Sequence, residues 1–297
     1  MLQERYINPF TDFGFKKIFG EELNKDLLID FLNQILPPQH TIKNLSYTKN
    51  EHLAPAPTER KAIFDLYCTA ESGERFIVEV QKAKQNYFKD RSVYYASFPI
   101  QEQAKQGVWD YRLSPVYTVG ILDFVFADEA DDNTVIHTVQ LKDQDCKVFY
   151  EKLTFIYLSL PNFTKEVHEL ETLQDKWLYV FKHLPNLEDR PKELQERVFE
   201  HLFQVAEIAK FSKTERDAYA ESIKHYRDLA NVMNTAIEEG IEKGRERGRE
   251  EGREEGREEG REEMVLMAHK QGRSIEEIAA FLGMLPTKIE QIIRKGS

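Results

Sequence analysis

The chain has little of what marks several protein classes. Its 297 residues include only two cysteines, Cys68 and Cys146, too few for a disulfide framework, so we expect both to be reduced. No apolar run reaches the length of a membrane span, and the N-terminus lacks the basic start and apolar stretch of a secretory signal. The eight histidines show no metal-binding spacing. These absences predict a soluble, cytoplasmic protein that has no membrane partner.

An excess of positive charge is also absent, since the net charge is −11. The charge is unevenly distributed, because residues 238–263 hold twelve Glu against seven Lys or Arg and so contribute −5, leaving −6 for the rest. Basic residues cluster around the stretch considered next, namely Lys16, Lys17, Lys82, Lys84, Lys89 and Arg91. The acidic balance therefore does not exclude a nucleic-acid partner, which would draw on Lys and Arg.

Residues 61–81 contain two apolar runs, rich in strand-forming residues, separated by turn residues. The turn is Glu71-Ser72-Gly73-Glu74. This pattern predicts a β-hairpin with a three-residue loop, in which Gly73 adopts the left-handed conformation. In that register Asp65 lies directly opposite Glu79.

The predicted register divides the hairpin into two faces. Asp65, Glu79 and Gln81 share the face that we expect to carry the chemistry, with the two acid groups converging toward open solvent and Ile63 opposite Gln81. The other face is expected to be core and carries Phe64, Leu66, Val78 and Val80. A two-residue loop would instead set Asp65 against Val80 among apolar side chains, and we reject that register because of the desolvation cost.

Acids at opposed positions on neighbouring strands form a candidate cation site. Their side-chain roots lie about 4.5 to 5.5 Å apart, and like charges this close repel each other unless a cation lies between them. Mg²⁺ and Mn²⁺ take one or two protein carboxylates together with a phosphate oxygen. The pattern therefore predicts a magnesium or manganese site at Asp65 and Glu79 that acts on a phosphodiester. The alternative is that both are ordinary solvent-facing strand residues.

Three ordered motifs carry a resemblance to one family. They are Phe64–Tyr67 followed by Phe76–Gln81, the N-terminal segment Tyr6–Gly20, and Asp90–Tyr95 leading to Gln101 and Gly107. Together they resemble the D…ExQ variant of PD-(D/E)XK nucleases, in the branch of recombination-promoting nucleases and PD-(D/E)XK-family transposases. The resemblance covers about residues 1–160. It departs from the superfamily name at Gln81, which stands where the name has lysine and which cannot act as a base.

The resemblance implies a restriction-endonuclease-like α/β fold and metal-dependent cleavage of DNA with Mg²⁺ or Mn²⁺ as cofactor. Asp65 and Glu79 would hold the metal, and Gln81 would orient the nucleophile. In this family an acidic residue from the N-terminal segment approaches the metal, so Asp12 is a candidate third ligand. An N-cap of the first helix is at least as good an explanation for Asp12.

Three further residues are candidate substrate contacts. Lys16 belongs to the basic cluster, and the planar fork of Arg91 matches phosphate oxygens, although an ion pair of Arg91 with Asp90 is equally ordinary. Gln101 either reaches the site or caps a buried carbonyl.

The order of elements around the hairpin predicts a mixed central sheet flanked by helices. The expected elements are a helix at Lys25–Leu36, a helix at 86–107 that is kinked or interrupted at Pro99, strands at Tyr117–Phe126 and Phe155–Leu160, and only helices after Thr164.

Glycine then recurs at every fourth position from Gly240 to Gly260, mostly separated by Arg-Glu-Glu. Each glycine costs a helix about 1 kcal/mol relative to alanine. The segment is therefore either a flexible, partly helical linker or a helix whose glycine stripe admits another helix at close range.

The C-terminus resembles a helix-turn-helix. Ser274 and Glu277 form a capping box, Gly283 ends the first helix, and Lys288–Arg294 supplies the second. This pair either reads DNA or serves as a small hairpin for packing and self-association.

The predicted divisions are a nuclease-like domain at 1–162, a helical subdomain at 163–237, the glycine-rich linker or helix at 238–263 and the helical hairpin at 264–297. The leading hypothesis is a DNA endonuclease of the recombination-promoting type that forms a homodimer or homo-oligomer through its C-terminal helices. The alternative is a catalytically inactive DNA-binding or scaffold protein on the same fold. The sequence leaves recombination, transposition and defence open.

Overall fold

The computed structural model describes residues 4–37, 40–48, 51–52, 62–83, 87–104, 110–126 and 133–295. The helices in these ranges are α1 (Asp12–Phe19), α2 (Lys25–Ile35), α3 (Phe88–Gln101), α4 (Leu173–His183), α5 (Arg197–Ala206), α6 (Lys213–Lys270), α7 (Ile275–Leu282) and α8 (Pro286–Lys295). The strands are β1 (Leu45–Tyr47), β2 (Glu51–His52), β3 (Ala62–Ile63), β4 (Leu66–Ala70), β5 (Arg75–Gln81), β6 (Val116–Leu122), β7 (Ile136–Lys142) and β8 (Val148–Ser159). Residues 61, 84, 86 and 107, which entered the sequence predictions, lie outside the described residues.

Six strands form one mixed sheet in the order β1-β4-β5-β6-β8-β7. The pairs β1–β4, β4–β5 and β8–β7 are antiparallel, whereas β5–β6 and β6–β8 are parallel. Strands β2 and β3 pair with each other in a separate ribbon. The predicted mixed central sheet flanked by helices is confirmed.

Helices cover both faces of the sheet. Every residue of β6 is buried, as expected for a parallel strand in the middle of a layered fold. One face packs Phe76 and Val78 into a core shared with residues of α1, α2, α4 and α5. On the opposite face Tyr67 and Ile77 pack against Tyr95 of α3. The carboxylate pair described below therefore lies within a layered interior, at the ends of β4 and β5.

The predicted hairpin register is confirmed. Leu66 pairs with Val78 and Tyr67 with Ile77, which is the alignment of the three-residue loop. The loop closes through a 2.8 Å bond from the Ala70 amide to the Glu74 carbonyl, and Gly73 has a φ of +100°. Turn chemistry thus fixed the alignment of the two strands.

Two details of the predicted faces were wrong. Phe64 is buried beneath α3 with Tyr67 and Ile77, not with Leu66 on the other face, because the chain bends at Asp65 between β3 and β4 and interrupts the strand alternation. Ile63 pairs with Glu51 in the β2–β3 ribbon instead of lying opposite Gln81. The face that carries Glu79 is accordingly enclosed by apolar side chains rather than open.

Most of the other predicted elements are present with shifted ends. The helix expected at Lys25–Leu36 is α2, and Pro99 lies inside α3 without ending it. Strand β7 and the first half of β8 were not predicted from the sequence. Many of their residues are exposed, so the alternation of apolar and polar residues that marks a strand is weak there. None of the described helices is long and apolar enough to cross a membrane.

The helices after the sheet belong to the same core as the sheet. Trp177 of α4 is fully buried, packs against Phe19 and Phe31, and donates a 2.7 Å bond from Nε1 to Asp30. The chain divides into two compact units, Met1–Ala230 and Asn231–Ser297, whereas the sequence analysis placed boundaries at 162/163 and 237/238. The helical segment is thus part of the first unit.

In the second unit the glycine repeat is helical, whereas the close approach of another helix to the glycine stripe stays a prediction. Apart from the helix's own nearby backbone, no atom of the described chain lies within 4 Å of a Cβ placed at any glycine from Gly240 to Gly260. The terminal hairpin has its own small core, formed by Val265, Ile278, Ile289 and Ile292. The predicted Ser274–Glu277 capping box is confirmed, and Gly283 ends α7 with a φ of +63°.

Candidate active site

Asp65 and Glu79 hold each other in place across the hairpin. The amide of Asp65 donates to Oε1 of Glu79 at 3.2 Å, and the amide of Val80 donates to Oδ2 of Asp65 at 2.8 Å. Asp65 stands one residue before β4, so the confirmed register continues to set it opposite Glu79. Each carboxylate therefore accepts a backbone hydrogen bond from the opposite side of the hairpin, and both side chains occupy one small region.

The pair is more enclosed than the sequence analysis expected. Glu79 is only 8% exposed and Asp65 is partly buried. Burial, followed by the nearby charge of Asp65, raises the pKa of the Glu79 carboxyl to about 8. Burial likewise raises the pKa of Asp65, whereas the amide of Val80 and the charges of Lys16 and Arg91 act in the opposite direction. Burial therefore disfavours ionisation of both carboxyls together, and a nearby cation would favour it.

Gln81 is anchored at both ends of its amide. Its Oε1 accepts a 2.8 Å bond from Nη2 of Arg91, and its Nε2 donates to the carbonyl of Ala83 at 3.2 Å. A glutamine amide has two donor hydrogens and two acceptor lone pairs, so one of each remains for a ligand. Arg91 and Gln81 are thus brought together beside the carboxylates, as the predicted roles require.

Helix α3 supplies two residues to this region one turn apart. Arg91 lies over the ring of Tyr95 at 5.7 Å, and the charges of Glu79 and Asp65 add to burial in raising the pKa of Tyr95. Tyr95 was not predicted from the sequence to have a role in the site. Its i,i+4 spacing from Arg91 was the available signal, because that spacing puts both side chains on one helix face.

Asp12 does not have the N-cap role considered for it. The N-cap of α1 is Thr11, whose side chain accepts from the amide of Gly14, and Asp12 is the first residue inside the helix. Its carboxylate is largely exposed and forms a 2.6 Å ion pair with Lys16. Asp12 is still close enough for its charge to raise the pKa of Asp65. Across the described residues, no three His, Cys, Asp or Glu side chains are grouped to hold a metal ion, so the candidate centre consists of the pair alone.

Gln101 is not brought to the carboxylate pair. It is the last residue of α3 and is exposed, ten residues after Arg91. Ten helical residues span about 15 Å along the axis, so its side chain lies well away from Arg91. The expectation that Gln101 contacts substrate here has no support in this geometry. Lys16 and Arg91, in contrast, both act electrostatically on Asp65 and Glu79.

A pocket of about 660 Å³ is lined by the neighbours Leu66, Val80 and Gln81 of the pair, whereas Asp65 and Glu79 themselves do not line it. Asp12 and Lys16 of α1, Gln81 and Lys82 at the end of β5, and Ser222 and Tyr226 of α6 are among its lining residues. Burial lowers the pKa of Lys82 to about 8. The α6 residues lie about 140 positions after the hairpin in the sequence. No local sequence pattern connects the α6 residues to the hairpin. The sequence therefore did not predict that α6 lines this pocket.

The donor set fits a hard divalent cation. Carboxylate oxygens are the ligands that Mg²⁺ and Mn²⁺ prefer, and a proteinaceous site for them commonly has one or two carboxylates. Burial is the main cause of the raised pKa of both acids, and the positive charge of a cation bound between their oxygens would lower both pKa values.

Comparison with known proteins gives one match. The model of the family described as PD-(D/E)XK nuclease family transposase matches residues 9–236. The matched range extends beyond the sheet into the first turns of α6, in agreement with the shared core of the first unit. No curated protein and no solved structure matches the chain.

Proposed function

From the premise that the chain belongs to the PD-(D/E)XK nuclease family of transposases, with the restriction-endonuclease-like fold, we propose that it is a metal-dependent DNA endonuclease. The observation that carries this proposal is the Asp65–Glu79 pair, since each acid accepts a hydrogen bond from the other side of the hairpin and both have raised pKa values. An enclosed acid pair of this kind suits phosphodiester hydrolysis.

In the proposed mechanism Asp65 and Glu79 hold Mg²⁺ or Mn²⁺ through their carboxylate oxygens. When bound, that cation supplies positive charge beside the phosphate and makes an attacking water more acidic. Within the described residues no third acid is grouped with the pair, and Asp12 forms an ion pair with Lys16. Asp12 therefore contributes negative charge near the site in this proposal rather than a ligand bond.

The remaining residues of the site position the substrate. Arg91 is held beside the carboxylates by its 2.8 Å bond to Gln81, and its planar guanidinium matches the geometry of phosphate oxygens. Gln81 uses its remaining N–H to orient a water or phosphate oxygen, and it does not remove a proton. Lys16 adds positive charge at the mouth of the site. Together these groups bind the phosphate and oppose the negative charge that develops on it.

The first test is Asp65→Asn. This change keeps the shape and the oxygen that accepts from the Val80 amide but removes the charge that would bind the cation. We expect plasmid nicking in Mg²⁺ to fall by about 100-fold or more, on the scale of losing one strong electrostatic contact to the transition state. Because the substitution also relieves repulsion with Glu79, the melting temperature of the metal-free protein should stay equal or rise.

The matched control is Glu71→Gln, since Glu71 is an exposed acid in the turn of the same hairpin. That variant should nick plasmid at the rate of the unchanged protein. If Asp65→Asn nicks DNA at the unchanged rate, the assignment of the pair is wrong. If the unchanged protein binds DNA but fails to cut it in either Mg²⁺ or Mn²⁺, the non-catalytic DNA-binding or scaffold alternative replaces the nuclease proposal.

A further inference from the structure

The pocket beside the carboxylate pair shares residues with the proposed active site. Asp12, Lys16 and Gln81 line the pocket, and Gln81 also bonds Arg91 next to Glu79. A ligand in the pocket would therefore lie next to a phosphate held at the pair. Only these three lining residues have roles in the proposed mechanism. The other residues that line the pocket have none.

The pocket walls combine apolar surface with polar and charged groups, which include the acids Asp12, Glu21 and Glu221 as well as lysines. Phe10 and Phe13 provide aromatic surface on one side, and Leu66 and Val80 provide aliphatic surface from the hairpin. Polar groups are supplied by Lys82 and by Ser222, His225 and Tyr226 on α6. Aromatic and aliphatic walls together with hydrogen-bonding groups match the faces and edges of a nucleobase.

Size limits what can enter. The volume of about 660 Å³ lies within the range of roughly 300 to 1,000 Å³ that is usual for pockets binding a small molecule. It accommodates one nucleotide but not a duplex, whose major groove alone is about 12 Å wide. A base that belongs to DNA therefore reaches this space only if it is unpaired or has left the stack.

The α6 wall of the pocket is tied to the core of the first unit. The Tyr219 hydroxyl accepts from the Asn8 amide at 3.0 Å and donates to Glu4 at the same distance. One turn earlier, Glu215 forms a 2.7 Å ion pair with Lys17. These bonds hold the start of α6 beside α1, so the pocket is formed before any ligand arrives and binding does not have to order it.

We propose that this pocket, defined by Phe10, Phe13, Leu66, Lys82, Ser222 and Tyr226, binds one unpaired nucleotide of the DNA next to the phosphate that is cleaved. The proposal rests on the proposed nuclease function. It makes the preferred substrate DNA with an unpaired or displaced base, as in a bulge, a flap or a single strand. Recognition comes from stacking and edge contacts in the pocket, and it does not require a particular base sequence.

The test uses one DNA sequence in which a single 2-aminopurine is either paired in a duplex or unpaired as a one-nucleotide bulge. The decisive variant is Ala218→Trp, which adds a bulky ring to the pocket from its α6 wall. The matched control is Ala220→Trp, because Ala220 is an exposed alanine on the same helix that does not line the pocket. Circular dichroism and the melting temperature report folding of both variants. Leu229→Trp, at another exposed pocket position, serves if Ala218→Trp does not fold.

Cleavage and binding are measured separately. In Mg²⁺ we expect kcat/KM for the bulged duplex to exceed that for the paired duplex by about tenfold, the scale of stacking one base on an aromatic ring. The ratio should be unchanged in Ala220→Trp and fall toward one in Ala218→Trp. In EDTA, where the DNA stays intact, the emission of the unpaired 2-aminopurine should shift to shorter wavelength on binding, because the base leaves water. That shift should be lost in Ala218→Trp.

Three results would overturn the proposal. They are equal cleavage of bulged and paired DNA by the unchanged protein, a full preference retained by Ala218→Trp, and competition by free deoxyadenosine monophosphate as strong as that of the oligonucleotide. The last result would assign the pocket to a free nucleotide. If no DNA is cleaved at all, the nuclease function fails, while the 2-aminopurine shift in EDTA still reports whether the pocket binds a base.

Discussion

At the scale of single residues, Asp65 and Glu79 are two acids that the hairpin holds close together in a partly enclosed position. Each acid accepts one backbone amide, at 2.8 Å for Asp65 and 3.2 Å for Glu79. A hydrogen bond to the ionised form lowers a carboxyl pKa, yet both pKa values are raised because burial outweighs that bond. Ionisation of both acids together is therefore disfavoured in the folded protein, which is consistent with the proposed cation site.

This arrangement predicts how the stability of the metal-free protein depends on pH. The pKa of Glu79 is raised from 4.5 to about 8, so the folded state binds this proton more tightly than the unfolded state does. The corresponding stability is fully present below pH 4.5 and is lost as the pH rises through about 8. We expect the melting temperature measured in EDTA to be several degrees lower at pH 8.5 than at pH 5, and Mg²⁺ to restore more of it at the higher pH.

Glu79→Gln provides the comparison for that measurement, because the amide keeps the shape and does not titrate. The difference in melting temperature between pH 5 and pH 8.5 should shrink in this variant, and Mg²⁺ should have little effect on it. Identical pH curves for the variant and the unchanged protein would show that Glu79 does not carry the raised pKa.

Several residue-level features were predictable from the sequence, and others were not. Gly73 and the alternation of β4 and β5 fixed the register that joins Asp65 to Glu79, because turn chemistry and period-two patterning are local signals. The exposure of the pair was not predictable, since it depends on α3 packing over that face. The positions of Asp12 and Gln101 also depend on where whole helices lie, and there the expectations failed or remained untested.

At the scale of elements, α6 is the clearest case in which a local penalty did not decide the structure. The repeat glycines should cost a helix about 1 kcal/mol each. A flexible linker was for this reason one of the two structures expected from the sequence. The structure has a helix at these positions. A Cβ placed at each of these glycines would meet no atom of the described chain within 4 Å outside the helix's own nearby backbone. The glycines therefore have no packing role within the described chain, and their cost to the helix is not offset there by close contacts.

Replacing Gly252 and Gly256 with alanine should accordingly stabilise this helix. Each substitution adds a methyl group that meets no atom within 4 Å and removes a flexible residue, for a gain of about 1 kcal/mol per site. The expected result is a higher melting temperature of the second unit. Its unfolding is monitored by circular dichroism at 222 nm. Gly283→Ala is the opposite control, because its φ of +63° strains an alanine and should lower that temperature.

The glycine variants also test self-association. Light scattering on the same samples gives the mass of the particle in solution. A double variant that lowers both the mass and the melting temperature would mean that another chain packs against the glycine stripe, and the proposed stabilisation would be wrong. An unchanged mass with a raised melting temperature would mean that the stripe stays exposed.

At the scale of the whole molecule, the first unit combines two parts that the sequence analysis separated. Amphipathic patterns located the helices after the sheet, but they did not identify the surface on which those helices pack. Trp177 makes that connection, since it is fully buried against Phe19, Phe31 and Phe199 and bonds to Asp30. The aromatic partners come from distant parts of the chain, which is why sequence spacing could not reveal the shared core.

Trp177→Ala tests whether sheet and helices unfold together. Removing a buried tryptophan costs about 3 to 5 kcal/mol, and here it also leaves Asp30 without its indole partner. We expect a single urea transition displaced by that amount, with amides of β5 and β6 losing protection from hydrogen exchange together with those of α4. Leu23→Ala is the control, because Leu23 is 87% exposed and its loss should change the free energy of unfolding by less than about 0.5 kcal/mol. If α4 exchanges early while β5 and β6 stay protected, the helical segment is a separate subdomain, as the sequence boundaries proposed.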